Sequence, residues 1–222
     1  MGQMSIQDIQ KSLTQWDFLQ QLPKEVAGFN FVQYGSIDGQ LLKIAAFENA
    51  EQRVSLELYF TSETNDYIVV KNIGFQQFRD IRYIFRERDR FAEKLSQDLT
   101  KLLNEILPSC RHSLGEVARE CGLDAWTYAS KLPQHIGNYE LYIAPQNAIE
   151  YINGSIIFID YSDFANGNQL VFFYNRFRGE IFAEAKCKMN PVYTTEFDVT
   201  KMNHLDAILD KRLESFLREL SQ

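Results

Sequence analysis

Chemically capable side chains are densest in Arg79-Asp80-Ile81-Arg82-Tyr83-Ile84-Phe85-Arg86-Glu87-Arg88-Asp89-Arg90, which holds five arginines and two aromatic rings. Guanidinium forks suit phosphates and rings stack on bases, so this composition invites a phosphate or RNA reading. Three carboxylates interleave, however, and leave the run at only +2. Alternating signs at that density describe a solvated, salt-bridged segment leading into a helix. Arg82 and Arg86 remain candidate binding residues.

Other chemistry is harder to assemble. His112, His135 and His204 have no second His or Cys at ligand spacing, so no metal site is expected. Cys110, Cys121 and Cys187 are odd in number and lack metal or redox spacing, which reads as free thiols in a reducing compartment. Nucleophile elbow, phosphate loop and dinucleotide fingerprint are all missing. The acidic run Asp160–Asn168 lacks the ligand spacing of a calcium loop and reads as a hairpin turn at Asn166-Gly167-Asn168. Carboxylates are scattered, with no pair in view for acid–base work. The expectation is a chain without catalytic residues or cofactor.

What the sequence does carry is a duplication. Trp16-Asp17-Phe18-Leu19-Gln20-Gln21-Leu22-Pro23 and Trp126-Thr127-Tyr128-Ala129-Ser130-Lys131-Leu132-Pro133 share Trp, an aromatic two places on, and Leu-Pro in register, 110 residues apart. Asp38-Gly39 then matches Asn153-Gly154 at offset 115, implying a five-residue lengthening of the second copy. Near the ends, Leu95, Leu99, Leu102, Leu103 and Ile106 meet Leu209, Leu213, Phe216, Leu217 and Leu220 at offset 114. A period of this size makes each copy a small domain and not a solenoid unit. The expected domains are residues 1–108 and 109–222. Trp16, Trp126, Pro23 and Pro133 are assigned structural roles, each Trp stapling its first helix to a sheet.

Helical spacing of Ile6, Ile9, Leu13 and Trp16, with Ser5 as N-cap, predicts a first helix that Pro23 and Gly28 end. Strands are expected at Phe29–Tyr34, Gln40–Phe47, Arg53–Phe60 and Asp66–Ile73, and a helix at Phe91–Leu107. The second copy repeats this: a helix at Ser113–Lys131, strands at Tyr139–Ile143, Ser155–Tyr161, Gln169–Tyr174 and Glu180–Lys188, and a helix at Asn203–Leu220. Short strands joined by polar turns argue a meander. The fold class is α+β: a tandem α-β-β-β-β-α unit, each antiparallel sheet with helices on one face. The junction has no flexible tether, so the halves are expected to pack about a pseudo-twofold axis.

At offset 115, Leu42, Ile44, Leu56 and Leu58 match Ile157, Ile159, Val171 and Phe173, an apolar face expected under the helices. The opposite face pairs Lys43, Ser55 and Glu57 with Phe158, Leu170 and Phe172, while Tyr59 and Tyr174 are identical. Polar in one copy and apolar in the other, this face needs a cover, either the other half or a second subunit, or else a partner or small apolar ligand. Phe158, Leu170, Phe172 and Tyr174 are therefore candidate binding residues.

Net charge is −7, and neither half is basic, which disfavours nucleic acid and anionic membrane as partners. The N-terminal residues lack the pattern of a signal peptide, and no apolar run is long enough to span a bilayer, so a cytoplasmic chain is expected. The α–meander–α outline resembles the small acidic chaperones of bacterial secretion systems. The expected function is non-enzymatic binding of a protein client, as adaptor, chaperone or inhibitor, by a monomer acting as pseudo-dimer or by a homodimer. The alternatives are a pocket for a small apolar ligand lined by Phe158, Phe172 and Phe182, and an enzyme with dispersed residues.

Overall fold

A computed structural model describes residues 5–108, 116–150 and 154–222. The chain divides into two compact units, Met1–Cys110 and Arg111–Gln222. The first opens with α1 (Ile6–Ser12), a 3-10 turn (Leu13–Gln15) and α2 (Asp17–Gln21), and then runs β1 (Glu25–Val26), β2 (Phe29–Asp38), β3 (Leu41–Asn49), β4 (Val54–Thr61), β5 (Asp66–Ile73) and β6 (Gln76–Phe85). These six strands pair strictly in sequence, all antiparallel, and α3 (Arg88–Ile106) closes the unit.

The second unit contains α4 (Glu116–Glu120), a 3-10 turn (Thr127–Lys131), β7 (His135–Ile136), β8 (Tyr139–Ile143), β9 (Ile149–Glu150), β10 (Ser155–Asp163), β11 (Asn168–Asn175), β12 (Glu180–Cys187), β13 (Asn190–Val192) and α5 (Met202–Leu220). Its sheet runs β13-β12-β11-β10-β8-β7, with β9 beside β10. Both units are thus α+β meanders with a C-terminal helix, a duplicated design.

Four strands per copy was an underestimate. The two-residue strands β1 and β7 are too short to show a period, and β6 is hidden by its charges. The Arg79–Arg90 stretch is largely exposed and salt-bridged and leads into α3, as expected, but its first part is the second half of β6.

The single first helix expected over Ile6–Leu22 is also broken. Ser5 caps α1 with a full capping box, its side chain and that of Asp8 exchanging bonds with each other's backbone N–H. Trp16 then adopts extended backbone (φ −92°, ψ 92°) and restarts the helix one residue later. Trp126 does the same (φ −76°, ψ 95°) ahead of its 3-10 turn. Both rings are buried. Of the helix expected at Ser113–Lys131, the start lies outside the described residues, as do Cys110 and His112, and the rest is these two short pieces.

Register is where the duplication is most informative. β3 pairs with β4 in the same pattern that β10 pairs with β11: Leu42 faces Phe60 as Ile156 faces Tyr174, and Phe47 faces Leu56 as Tyr161 faces Leu170. Each pairing shifts by one residue at the same place, across Ile44 in β3 and across Phe158 in β10. From β3 to the last helix the two units therefore correspond at offset 114, including α3 and α5, each 19 residues long. The lengthening of copy two is four residues, not five. The Asn153 half of the Asn153-Gly154 match lies outside the described residues.

A one-residue slip in a strand alignment moves every side chain to the other face. The correct pairs on the helix-covered face are Leu42 with Ile156, Leu56 with Leu170, Leu58 with Phe172 and Phe60 with Tyr174. Phe158, Leu170 and Phe172 accordingly lie in the core beneath α5, with Leu205, Leu209, Leu213, Phe216, Leu217 and Leu220. Phe172 meets Phe197 at 5.1 Å and Trp126 meets Phe158 at 5.9 Å. In the first unit Trp16 packs on Tyr67 at 5.8 Å, and Tyr67 on Phe91 of α3 at 5.6 Å. Phe172→Ala is expected to cost about 3–5 kcal/mol of unfolding free energy in chemical denaturation, because the fully buried ring would leave a cavity. A loss below about 1 kcal/mol would show that this face is not core.

Candidate functional site

The apolar trio Phe158, Leu170 and Phe172 offers no surface, since all three are fully buried. Tyr174 is partly buried and packs against the same cluster. The small-ligand cavity expected among Phe158, Phe172 and Phe182 is not enclosed by them. Phe158 and Phe172 pack on each other at 6.3 Å, while Phe182 stacks on Phe173 across the opposite face at 5.1 Å. Pro23 and Pro133 are exposed, each following the buried Leu that ends its helical turn. The carbonyl of Pro133 accepts from the Tyr161 hydroxyl at 2.7 Å.

Arg82 belongs to an ion cluster. Its guanidinium bonds Asp80 at 2.6 Å and Glu105 of α3 at 2.7 Å, and Lys71 of β5 reaches the same carboxylates at 2.9 and 2.6 Å. Lys71 and Asp80 are buried. Burial pushes the Asp80 carboxyl up, but the bonds from Arg82 and Lys71 outweigh it and hold the group down at about 2. Two cations facing two anions leave no net field to attract a ligand, so the cluster fastens α3 to the sheet. Arg86 is largely exposed, 3.8 Å from Asp66, and does not join it.

On the opposite face of the first sheet, Lys43 bonds Glu57 at 2.7 Å and lies 4.0 Å over the Tyr34 ring. Tyr59 donates to Glu57 at 2.8 Å, and Tyr34 donates to Glu48 at 2.5 Å. The bond to Glu48, with some burial, pushes the Tyr34 phenol up to about 12. At offset 114 the second unit replaces Lys43, Glu57 and Tyr59 by Ile157, Val171 and Phe173, all buried. The contrast between a polar and an apolar face is real, but these residues carry it.

One charge sits among them. Asp160 is fully buried, its carboxylate accepting from Ser162 at 2.7 Å and Gln169 at 2.9 Å. Burial pushes it up to about 6 despite those bonds.

The open feature of the second unit is a cleft of about 880 Å³ beside β12, between that strand and residues 191–200. Sequence reading missed it because it is made by a detour of the backbone. β13 pairs with Ala185–Cys187, and Val199 exchanges two backbone bonds with Ile181 at 2.7 and 2.9 Å. Between these points Tyr193–Asp198 leaves the strand, pinned by the buried Phe197, which packs on Phe172 and Phe216. Strand residues bond to alternate sides. Ile181 bonds outward to Val199, so Ala183 also turns its N–H and C=O outward, into the gap.

The first unit makes the same detour opposite Val69, over Asp80–Tyr83, with Tyr83 as the buried peg. There Lys71, Asp80 and Arg82 tighten the turn; the second unit has Ala185, Thr194 and Glu196 at those positions. Apolar side chains stand on the cleft's rim: Tyr193 is 91% and Val192 37% exposed. A shortened, proline-containing counterpart of β6 was the sequence signal that could have marked it.

Among the described residues, no group of three or more His, Cys, Asp or Glu side chains could hold a metal ion. Among the same residues, no helix is long and apolar enough to cross a membrane. No protein family, curated protein or solved structure matches this chain.

Asp160 yields a pH test. Its folded-state value lies above the ordinary 3.8, so the folded chain holds the proton more tightly than the unfolded chain. That contribution is complete in acid and is lost as pH rises through about 6. Asp160→Asn should therefore stabilise the protein at pH 8, by at most about 3 kcal/mol, with the gain fading below pH 5. Urea denaturation of both proteins across this range checks it; a pH-independent difference would contradict the assignment.

Proposed function

We propose that the chain is a non-enzymatic, cytoplasmic protein-binding module, of adaptor, chaperone or inhibitor type, that holds a partner protein in the β12 cleft. The observation that carries this reading is the nearly fully exposed Tyr193 beside an open cleft that Phe182 and residues 191–200 line. Aromatic side chains in such positions supply much of the energy of protein interfaces, because one rigid ring buries a large area at little entropic cost. The free thiols Cys121 and Cys187 fit a reducing compartment.

Selection of a displayed random-peptide library on the whole chain tests the proposal. A related set of peptides should be enriched, and Tyr193→Asp should weaken their binding by about tenfold or more. The substitution should leave thermal unfolding nearly unchanged, because Tyr193 is exposed. Enrichment of nothing, or of peptides indifferent to Tyr193→Asp, would overturn the assignment.

A further inference from the structure

We propose that the occupant of the β12 cleft is an extended segment of a partner protein that carries Lys or Arg on both sides of an apolar residue. This rests on the protein-binding reading above and specifies the chemistry of what binds.

The argument begins with strand parity. Glu180, Phe182 and Glu184 alternate along β12 and share one face. Val199 pairs with Ile181, so the preceding residue, Asp198, falls on the face of Glu180 and Phe182. The cleft thus has an apolar centre at Phe182, an aromatic rim at Tyr193, and carboxylates at both ends of the exposed strand segment.

Those carboxylates lack cations of their own. Among the described residues neither Glu184 nor Asp198 has an ion-pair partner. Glu180 has Arg178 at 3.3 Å, but both side chains are well exposed, and such a pair is weak and easily exchanged. Burial and the nearby Glu180 both raise the Asp198 carboxyl above its ordinary value, the mark of like charges held together. Lys186, the other cation of the lining, bears on Asp160.

An added cation relieves this repulsion, whereas an added anion increases it. Val199 already holds the ladder position beside Ile181, so the segment lies over the face of β12 that carries Glu180, Phe182 and Glu184. Because the two carboxylates are four strand residues apart, it has basic residues at i and i+4 and an apolar one between them, over Phe182.

The test uses two short fluorescein-labelled peptides. One holds Lys-Thr-Val-Thr-Lys between Gly-Ser flanks, and the other replaces both Lys by Glu. Fluorescence anisotropy should show the Lys peptide binding about tenfold or more tighter than the Glu peptide, with the preference shrinking as salt rises. The combined Glu184→Gln and Asp198→Asn variant should lose most of that preference. Neutralising Glu51 and Glu63, two exposed carboxylates of the first unit, should leave it intact, which separates a built site from general attraction to an acidic protein. On the ¹⁵N-labelled chain, the Phe182 amide resonance should move on titration with the Lys peptide. Equal binding of the Glu peptide, an unmoved Phe182 resonance, or equal loss with the Glu51 and Glu63 changes would overturn the proposal. If library peptides bind through Tyr193 but are acidic or neutral, this occupant falls while the protein-binding reading stands. If neither probes nor library peptides bind, both fall.

Discussion

The structure depends on one extra residue in the long strand after the first turn of each sheet. In β3 the side chains that must reach the helix are Leu42, Ala45 and Phe47, and in β10 they are Ile156, Ile159 and Tyr161. Three places separate the first two in each set. A regular strand would send them to opposite faces, so a bulge is required to bring them onto one. Ile44 and Phe158 supply it. Once it is in place, β4 and β11 fall into register, and the last helix meets a continuous apolar surface. Both bulge residues are themselves fully buried. That two diverged sequences keep it at the same position identifies it as part of the design.

How much of this was legible follows from where the residues sit. The Trp-to-Leu-Pro phrase and the five apolar pairs of α3 and α5 survive because each lies in a buried, locally periodic stretch. All ten helix residues are buried. Strands with clean turns at both ends, such as Asp66–Ile73 and Tyr139–Ile143, are bounded correctly from sequence. A bulge, by contrast, leaves no local mark: it changes parity without changing composition. The offset of 115 has a separate origin, the match between Asp38-Gly39 and Asn153-Gly154 in a turn whose length differs between the copies, and the candidate site inherited the wrong face from it. Lys71 was invisible for a related reason. Its burial depends on Asp80 and Glu105, nine and 34 positions away, and spacing alone cannot report such a meeting.

Beyond the bulge, the repeats solve one problem by two kinds of chemistry. Each must fasten its closing helix to the rest of the unit. The first uses ions, with Lys71 and Arg82 clamping Glu105, and a guanidinium from Arg88 5.4 Å from the Trp16 ring. There the Tyr83 hydroxyl also donates to Asp98 of α3 at 2.6 Å; the second unit relies chiefly on hydrogen bonds of this aromatic kind. The Trp126 ring N–H donates to Asp206 at 2.6 Å and the Tyr128 hydroxyl to Asp210 at 2.8 Å, both acceptors on α5. Arg212 adds a surface clasp to Glu196 and Glu219. Buried ion pairs carry a desolvation cost that good geometry offsets, and they are sensitive to loss of one partner. Aromatic donors bring their own apolar area and depend less on salt.

Pro191 marks the margin of the second sheet. It stands opposite Lys186 in β13, at a position whose N–H would face away from β12, and proline has no N–H there to give. The outermost rim of the sheet is therefore a poor template for another strand, and chains cannot readily stack on it end over end. The same three-residue strand that stops short of the detour thus also blunts the margin of the sheet.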